Sequence, residues 1–416
     1  MSPRKMAPVE DQLAVLMRGT DFGDEATRRS MERELRARLE EDRPLKVYCG
    51  YDPTSVDLHL GHTLTMRKLR QFQEFGHEVT FLIGTFTGLV GDPSDKNKER
   101  PMLALETLEA NAQTYADQAF RILDRERTTV RRNAEWLSKL TFADVVRLCT
   151  HFTVAQFLER DNFAKRWERH DAIHISEFMY AIMQAYDAVA LETDVQVGGS
   201  EQLFNLMAGR VLQREYEQSP QVVVTLPILV GTDGTVRMSK SQGNHIAVQD
   251  SPNDMYGKVM KLPDSALPSY FELLTMLPMT EVAALVDGAP MEAKKRLALE
   301  ITTSMYDRTA AEEAQAYFEA TIQRRETPED MPEFSIPTDV EDARLDRVLV
   351  AAGIAKSASE VRRLVQQGAV TRNGERLEEF AELLAPGDEL KIGRHRFLRI
   401  TAPGGTPSGT SRRDGA

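Results

Sequence analysis

The chain has 416 residues, more than a single hydrophobic core usually organises, so two or three domains are expected. Hydrophobic residues make up 41% and charged residues 28%, which is ordinary for a globular protein, and no apolar run reaches membrane-spanning length. The net charge of −12 disfavours a polyanionic partner for the chain as a whole, but residues 342–402 carry 11 Lys and Arg against 9 Asp and Glu, so this segment can offer a basic face.

The N-terminal residues "MSPRKMAPVEDQ" lack the apolar core of a signal peptide. The two cysteines, Cys49 and Cys149, show no paired spacing, so neither a disulfide framework nor a cysteine-based zinc site is expected. These features predict a reduced, cytoplasmic protein.

Helix and strand patterns alternate over residues 1–250. Strand-like runs such as "KVYCGYD", "VTFLIGTF" and "DVQVGG" are separated by helical periodicity, and a charged amphipathic helix precedes them. This alternation predicts an α/β domain with a Rossmann-like open parallel sheet covered on both faces. Residues 142–190 contain more helix than one crossover needs, so we interpret them as a helical insertion between the two halves of the fold.

Strand patterns then stop, and residues 251–325 are expected to form a small helical domain. Residues 326–341 are acidic and proline-bearing, as linkers are. Residues 342–402 predict a small α+β domain with two helices, a turn at Asn373-Gly374 and further strands. Residues 403–416 are too poor in apolar side chains to fold, so a disordered tail is expected.

Two histidines one helical turn apart stand in "PTSVDLHLGH" at a strand-to-helix junction. His59 and His62 could bind a metal, bind phosphate or ribose, or simply begin an exposed helix. A zinc site is disfavoured because no third ligand occurs at suitable spacing. Phosphate binding is favoured by Gly61, which permits close backbone approach at a helix N-terminus.

A second stretch, "GTVRMSKSQGN", follows the last predicted strand and carries Arg237 and Lys240. A basic, glycine-flanked loop at the end of a strand can close over a leaving pyrophosphate, although this composition is also common in solvated surface loops.

Together these motifs resemble the paired signatures of class I aminoacyl-tRNA synthetases. The segments "YCGYDPTSVDLHLGH", "TGLVGDPSDK", "YAIMQAYD" and "GGSEQLFN", in this order, resemble bacterial tyrosyl-tRNA synthetases, and in particular the second of two bacterial subtypes. The resemblance covers essentially the whole chain, and residues 342–402 resemble the RNA-binding module shared with a ribosomal small-subunit protein.

Tyr180, Gln184 and Asp187 occur at i, i+4 and i+7, on one face of a helix. By itself this spacing is more typical of a buried hydrogen-bond network than of a substrate site. The resemblance implies that Tyr180, Gln184 and Asp92 hold the tyrosine ammonium group. It places Tyr48 and an ionised Asp187 at the phenolic hydroxyl. The remaining tyrosine-binding residues that it implies are Gln202, near the carboxylate, and Asp52.

The resemblance also implies an ATP site. The ribose is assigned to Cys49, Gly199 and Glu201, where many family members have aspartate at the last position. The adenosine is assigned to Gly61 and His62. The phosphates are assigned to a set of polar and cationic side chains: Thr54, His59, Lys96, Arg100, Lys240 and Arg237. Arg237 stands where the family motif has lysine.

The implied reaction is attack of the tyrosine carboxylate on the α-phosphorus of ATP, followed by transfer of tyrosine to tRNA(Tyr). Mg²⁺ would be carried on the phosphates, and no protein-bound metal or organic cofactor is expected. Candidate RNA contacts are basic side chains of the last domain: Arg347, Arg362, Arg363 and Arg372. The family implies a homodimer formed through the insertion helices. The alternatives are a tryptophanyl-specific relative and a non-catalytic RNA-binding paralogue.

Overall fold

The structure is a computed structural model that describes residues 6–53, 58–93, 105–323, 331–336, 343–393 and 396–402. The chain divides into two compact units, residues 1–311 and residues 312–416.

The first unit contains, within its described residues, a parallel sheet of five strands. They are β1 Lys46–Tyr51, β2 Glu78–Ile83, β3 Thr128–Arg132, β4 Val195–Gly199 and β5 Val222–Leu226. The strand order is β3-β2-β1-β4-β5, so the chain winds outward from β1 in both directions. Val47 pairs with Val79 on one side and with Val195 on the other. The predicted Rossmann-like sheet is confirmed, and β1 lies at its centre.

Helices flank this sheet. The helices as far as β5 are α1 Val9–Leu16, α2 Glu25–Leu39, α3 Leu60–Phe75, α4 Thr87–Val90, α5 Leu105–Ala119, α6 Ala134–Leu137, α7 Phe142–Cys149, α8 Val154–Leu158, α9 Asp161–Glu168, α10 Ile175–Leu191 and α11 Leu203–Glu215. Helix α3 ends at Gly76, whose φ of +99° suits glycine. Helix α7 begins with a capping box between Thr141 and Asp144.

Helices α6 to α10 occupy the segment between β3 and β4. Their aromatic side chains form a core of their own, in which Phe157 stacks on Phe178 with ring centroids 4.8 Å apart and Phe163 is fully buried. The predicted insertion therefore has its own apolar packing, while α10 continues from it onto the sheet.

After β5 the described residues of this region form helices without further strands. These are α12 Pro252–Val259, α13 Leu267–Leu274, α14 Met279–Gly288, α15 Pro290–Met305 and α16 Arg308–Phe318, followed by a π-helical turn over Glu319–Gln323. The predicted change from an α/β pattern to a helical one occurs here. No described helix has both the length and the apolar content needed to cross a membrane.

The C-terminal unit combines α17 Leu345–Ala351 and α18 Ala358–Gln366 with a small mixed sheet. Its strands are β6 Glu333–Ser335, β7 Val370–Arg372, β8 Glu375–Arg376, β9 Glu389–Ile392 and β10 Arg396–Thr401. Asn373 and Gly374 have φ of 50° and 88°, which is the positive-φ pair of a tight hairpin turn. The predicted turn is thus present between β7 and β8.

Strand β6 differs from the expectation that residues 326–341 are only a linker. It pairs in parallel with β10, and its neighbour Ile336 is buried in the apolar core of the C-terminal unit. Phe334 packs against the same core. Two apolar side chains in an acidic, proline-bearing stretch therefore suffice to add an edge strand.

Candidate active site

A cleft of about 750 Å³ opens at the carboxyl ends of the parallel strands, where ligands bind in open α/β sheets. It collects most of the residues predicted from the sequence, which are Cys49, Asp52, His59, Gly61, His62, Asp92, Tyr180, Gln184, Asp187, Gly199, Glu201, Gln202, Arg237 and Lys240. Three further predicted residues, Thr54, Lys96 and Arg100, lie outside the described residues.

The two signature motifs, residues 59–62 and residues 237–241, meet at this cleft although they are far apart in the sequence. The backbone N–H of Leu60 donates to the Ile246 carbonyl at 3.0 Å, and the N–H of Val248 donates to the Leu58 carbonyl at 2.9 Å. These bonds join the segment that follows the lysine-bearing loop directly to the start of α3. The histidine pair and the loop are therefore parts of one site.

His59 and His62 begin α3 with their rings 3.8 Å apart. The backbone N–H of His59 donates to His62 Nδ1 at 3.2 Å. Burial lowers the pKa of His62 to about 4, and burial together with the neighbouring His62 lowers the pKa of His59 to about 3. Both rings are thus neutral at physiological pH and can act as hydrogen-bonding groups rather than as cations.

Gly61 lies between the two histidines. A Cβ atom at this position would stand 3.0 Å from the His59 ring, so glycine leaves room for the ring against the first turn of α3. In the described residues, no group of three or more His, Cys, Asp or Glu side chains is arranged to hold a metal ion.

Hydrogen bonds connect the polar side chains at one end of the cleft. The Tyr180 hydroxyl donates to Asp52 Oδ2 at 2.9 Å, and the Thr87 hydroxyl donates to Asp52 Oδ1 at 2.7 Å. Asn133 Nδ2 then donates to Thr87 Oγ1 at 2.9 Å and to Asp187 Oδ2 at 3.3 Å. Both carboxylates are thereby held by fixed donors.

Asp187 lies at the end of this network, and Trp136 Nε1 donates to its Oδ1 atom at 2.7 Å. Burial raises the pKa of Asp187 to about 8, although the two donors Trp136 and Asn133 oppose that rise. The loss of hydration thus outweighs the two hydrogen bonds, and the ionised state of Asp187 beside a phenol stays a prediction.

Tyr48 is only 1% exposed and is not among the residues that line the cleft. Its ring packs with Leu82 and Ala188, and its hydroxyl has no hydrogen-bond partner within the described residues. The pairing of Tyr48 with Asp187 around a phenol therefore stays a prediction.

Two glutamines of the cleft are oriented by a buried asparagine, and one of them contacts Asp92. Gln202 Nε2 donates to Asp92 Oδ2, while Asn205 Nδ2 donates to Gln202 Oε1 at 2.9 Å and to Gln184 Oε1 at 3.2 Å. Asn205 is fully buried, and its hydrogen bonds fix the orientation of the side-chain amides of Gln202 and Gln184.

At the other end of the cleft, the Tyr51 hydroxyl and Thr65 Oγ1 are 2.8 Å apart beside Cys49. Burial raises the pKa of the Cys49 thiol to about 12, so the thiol stays neutral. The Glu201 carboxylate folds against Gly199, where a Cβ would stand 2.3 Å from Glu201 Oε2. Neutral and anionic acceptors thus surround this end.

Comparisons with known proteins agree with this geometry. A family model described as tRNA synthetases class I (W and Y) matches residues 40–323, and an S4 domain model matches residues 343–390. A tyrosine–tRNA ligase of Moorella thermoacetica is 46% identical over 400 residues, which cover 94% of this chain and 96% of the relative. The chain belongs to the tyrosine–tRNA ligase family.

Other members of the tyrosine–tRNA ligase family show the same full-length agreement. A tyrosine–tRNA ligase 2 of Vibrio cholerae is 44% identical over 402 residues, covering 95% of this chain and 100% of that protein. The fold also matches the crystal structure of the Archaeoglobus fulgidus tyrosyl-tRNA synthetase complexed with L-tyrosine. That match has a TM-score of 0.60 at 23% identity and covers 74% of this chain and 100% of the other. The resemblance inferred from the motifs is confirmed.

Several residues at the site of this tyrosine–tRNA ligase family member were not predicted from its sequence: Tyr51 and Asn133 line the cleft, and Trp136 and Asn205 donate hydrogen bonds to residues that line it. Asn133 directly follows β3, at the same edge of the sheet as Asp52. That position at a strand's carboxyl end could have identified it.

In the C-terminal unit the predicted RNA-contacting arginines differ in their surroundings. Arg372 is 3.2 Å from Glu382 and also donates to the Leu383 carbonyl, whereas the Arg362 guanidinium lies 4.2 Å from the centre of the Phe380 ring. Arg347 and Arg363 are exposed. The role of all four in RNA binding remains a prediction for this family member.

Proposed function

We propose that the chain activates L-tyrosine with ATP to form tyrosyl-adenylate and pyrophosphate, and then transfers tyrosine to the 3′ end of tRNA(Tyr). The observation that carries the proposal is the 46% identity to a tyrosine–tRNA ligase over nearly the whole chain. The meeting of the histidine motif with the lysine-bearing loop in one cleft supports it.

Activation requires no nucleophile from the protein, because the tyrosine carboxylate itself attacks the α-phosphorus. The α-phosphorus–oxygen bond to the β-phosphate breaks, and pyrophosphate leaves with the bonding electrons. The protein contributes positioning and stabilisation of charge. Gln202 is assigned to the tyrosine carboxylate.

The ammonium group of tyrosine needs acceptors and negative charge. Asp52 accepts a hydrogen bond from the Tyr180 hydroxyl, so the lone pairs of the Tyr180 oxygen are left for the ammonium group. Asp92 and Gln184 line the same cleft, and Asp92 is assigned as the carboxylate. This donor and acceptor arrangement supports the assignment of these residues to the ammonium end.

The phosphates meet two kinds of groups. His59 and His62 are neutral and act by hydrogen bonding, while Lys240 and Arg237 supply positive charge from the loop. Mg²⁺ is assigned to the phosphates as part of the substrate. Cys49, Gly199 and Glu201 are assigned to the ribose, and Gly61 and His62 to the adenosine.

The phenol end is assigned to Asp187, because Trp136 and Asn133 hold both of its oxygens in place. A tyrosine hydroxyl there would meet the remaining hydrogen-bonding capacity of this buried carboxyl, which phenylalanine would leave unused, and this favours tyrosine. An indole side chain has no hydroxyl for this position, so the tryptophan alternative is disfavoured.

For the second half-reaction we assign tRNA contact to the S4 domain, whose net charge of +2 over residues 342–402 contrasts with the acidic remainder. A non-catalytic RNA-binding paralogue is disfavoured by the nucleotide-binding groups that line the cleft.

We also propose a homodimer formed through the insertion. Several large apolar side chains of this segment are at least half exposed, and they are Phe142, Val146, Val154, Trp167 and Ile175. An apolar surface of this kind is typical of a subunit interface. Sedimentation velocity tests it, and a monomer at micromolar concentration would contradict it. A cytoplasmic location is supported by two free thiols.

Pyrophosphate exchange into ATP, measured with each of the twenty amino acids, tests the first half-reaction. Exchange that depends on tyrosine, followed by charging of tRNA(Tyr), is expected. Exchange with tryptophan alone would favour the first alternative, and no exchange with any amino acid would favour the paralogue.

A further inference from the structure

The loop that carries Lys240 consists of two parts, a hydrogen-bonded hairpin and an exposed turn. Residues 229–238 form a small hairpin, in which the Met238 N–H donates to the Leu229 carbonyl at 2.8 Å and the Gly231 N–H to the Val236 carbonyl at 2.7 Å. The Tyr270 hydroxyl of α13 donates to the Val230 carbonyl at 2.7 Å and so ties the hairpin to the helical segment.

The second part is the turn of residues 239–243, where Lys240, Ser241, Gln242 and Gly243 are exposed. Beyond it, Ile246 and Val248 are fully buried, and this segment is bonded to the start of α3. The catalytic lysine therefore stands on an exposed turn between two supported segments.

The side chain of Asn244 connects the two parts. Its Oδ1 atom accepts the Ser239 N–H at 2.8 Å, at the beginning of the turn. Its Nδ2 atom donates to the Arg237 carbonyl at 3.1 Å and to the Val236 carbonyl at 3.3 Å, on the hairpin. Asn244 is 6% exposed, so these bonds are largely shielded from water.

Asp233 fixes which way this amide points. Asp233 Oδ2 accepts from Asn244 Nδ2, and Oδ1 accepts the N–H groups of Thr235 and Val236 at 2.8 and 2.7 Å. Every group around Nδ2 is an acceptor and the group at Oδ1 is a donor, so only one amide orientation satisfies them all. Gly231 leaves room for it, since a Cβ there would lie 2.3 Å from Asn244 Nδ2.

We infer that Asn244, oriented by Asp233, is a positioning residue that holds the turn bearing Lys240 over the departing pyrophosphate. The inference rests on the proposed function, because it adds a support to the cation already assigned to the phosphates. Asn244 acts through Lys240 and is not itself placed against the substrate.

Two isosteric substitutions test the inference. Asn244→Asp places a carboxylate oxygen opposite three acceptors, and Asp233→Asn places an amide NH₂ opposite the NH₂ of Asn244. Each should lower kcat of tyrosine-dependent pyrophosphate exchange about 10- to 100-fold, as expected for losing a hydrogen bond to a charged partner. Tyrosine affinity, measured by equilibrium dialysis, should stay within about twofold.

The double variant Asp233→Asn with Asn244→Asp restores a donor–acceptor pair between residues 233 and 244, but its carboxylate still faces the Val236 and Arg237 carbonyls, so it should recover only part of the rate lost in Asn244→Asp. Gln242→Glu is the matched control, because it adds the same charge to an exposed side chain of the same turn and should change kcat less than about threefold. In a Lys240→Ala background, Asn244→Asp should have little further effect, since its contribution passes through that lysine. Fully multiplicative losses, or no recovery in the double variant, would overturn the positioning role.

Trypsin provides a readout that does not depend on catalysis, because Arg237 and Lys240 are exposed cleavage sites. Asn244→Asp should be cleaved there faster than the wild type, and the double variant at an intermediate rate, because the bonds to the Val236 and Arg237 carbonyls are not restored. An unchanged cleavage rate in Asn244→Asp would show that Asn244 does not hold the turn in place, even if the variant enzyme were active. If the wild type showed no amino-acid-dependent pyrophosphate exchange, the proposed function would be overturned instead. The cleavage rates would still decide whether Asn244 holds the turn that bears Lys240.

Discussion

Trp136→Phe should weaken the preference for tyrosine over phenylalanine without disturbing the rest of the cleft. The substitution keeps an aromatic ring but removes the indole N–H that donates to Asp187 Oδ1 at 2.7 Å. Asn133 then remains as the other donor, at 3.3 Å from Oδ2. Asp187 loses the shorter of its two fixed hydrogen bonds and, with it, part of its orientation towards the position proposed for the phenol.

The size of the effect follows from the kind of hydrogen bond that is lost. With its pKa raised to about 8, Asp187 is mostly neutral at pH 7, and a hydrogen bond between neutral groups contributes about 0.5–1.5 kcal/mol, which corresponds to about 2- to 13-fold in a rate constant. We therefore expect kcat/KM for tyrosine in pyrophosphate exchange to fall by that factor. The value for phenylalanine should fall by a smaller factor, because phenylalanine has no hydroxyl to meet Asp187.

The chain offers a matched control in its second tryptophan. Trp167 is 64% exposed, so Trp167→Phe makes the same chemical change away from the cleft and should leave the selectivity ratio unaltered. Equal losses for both amino acids in Trp136→Phe would indicate general damage to the pocket. An unchanged ratio would show that the indole N–H does not support recognition of the phenol.

Three further predictions concern other parts of the molecule. Lys240→Ala should lower kcat of pyrophosphate exchange at least 100-fold while tyrosine affinity stays unchanged. A normal single-turnover rate in this variant would show that Lys240 does not contribute to adenylate formation. A chain ending at residue 323 should keep pyrophosphate exchange and lose most tRNA charging, and equal charging at physiological salt would contradict that division. Because the pKa of Asp187 rises from 3.8 to about 8 on folding, the native state binds its proton more tightly and loses stability as pH rises from about 4 to 8. Relative to Asp187→Asn, the wild type should lose at most about 5 kcal/mol of unfolding free energy across that range, as measured by urea denaturation at each pH, and a constant difference would refute the assigned pKa.

The fold was predictable where local pattern and topology agree. Alternation of apolar strands with helices identified the parallel sheet, and Asn373-Gly374 identified the hairpin of the C-terminal unit. Strand β6 was not predictable, because it has only three residues and is stabilised by β10, about 65 residues further along the chain. A strand this short has no periodicity of its own to recognise.

The site was predictable to the extent that its residues lie in recognisable motifs. Asn133 and Trp136 follow β3 in a segment with no such motif, and the pairing of β2 with β3 brings them near Asp187. The protonation of Asp187 was not predictable for a different reason. It depends on the degree of burial, which is a property of the packed structure and not of residue spacing.

The strand order also determines when the site can come into existence. Val47 in β1 pairs with Val195 in β4, so the β4 side of the cleft cannot form until about 150 further residues have been synthesised. The loop with Lys240 is synthesised later still. During synthesis, β1 and β2 can pair early, but a nascent chain shorter than about 250 residues lacks part of the cleft. Tyrosine and ATP can therefore stabilise the finished domain by binding to it, but they cannot guide its first steps of folding.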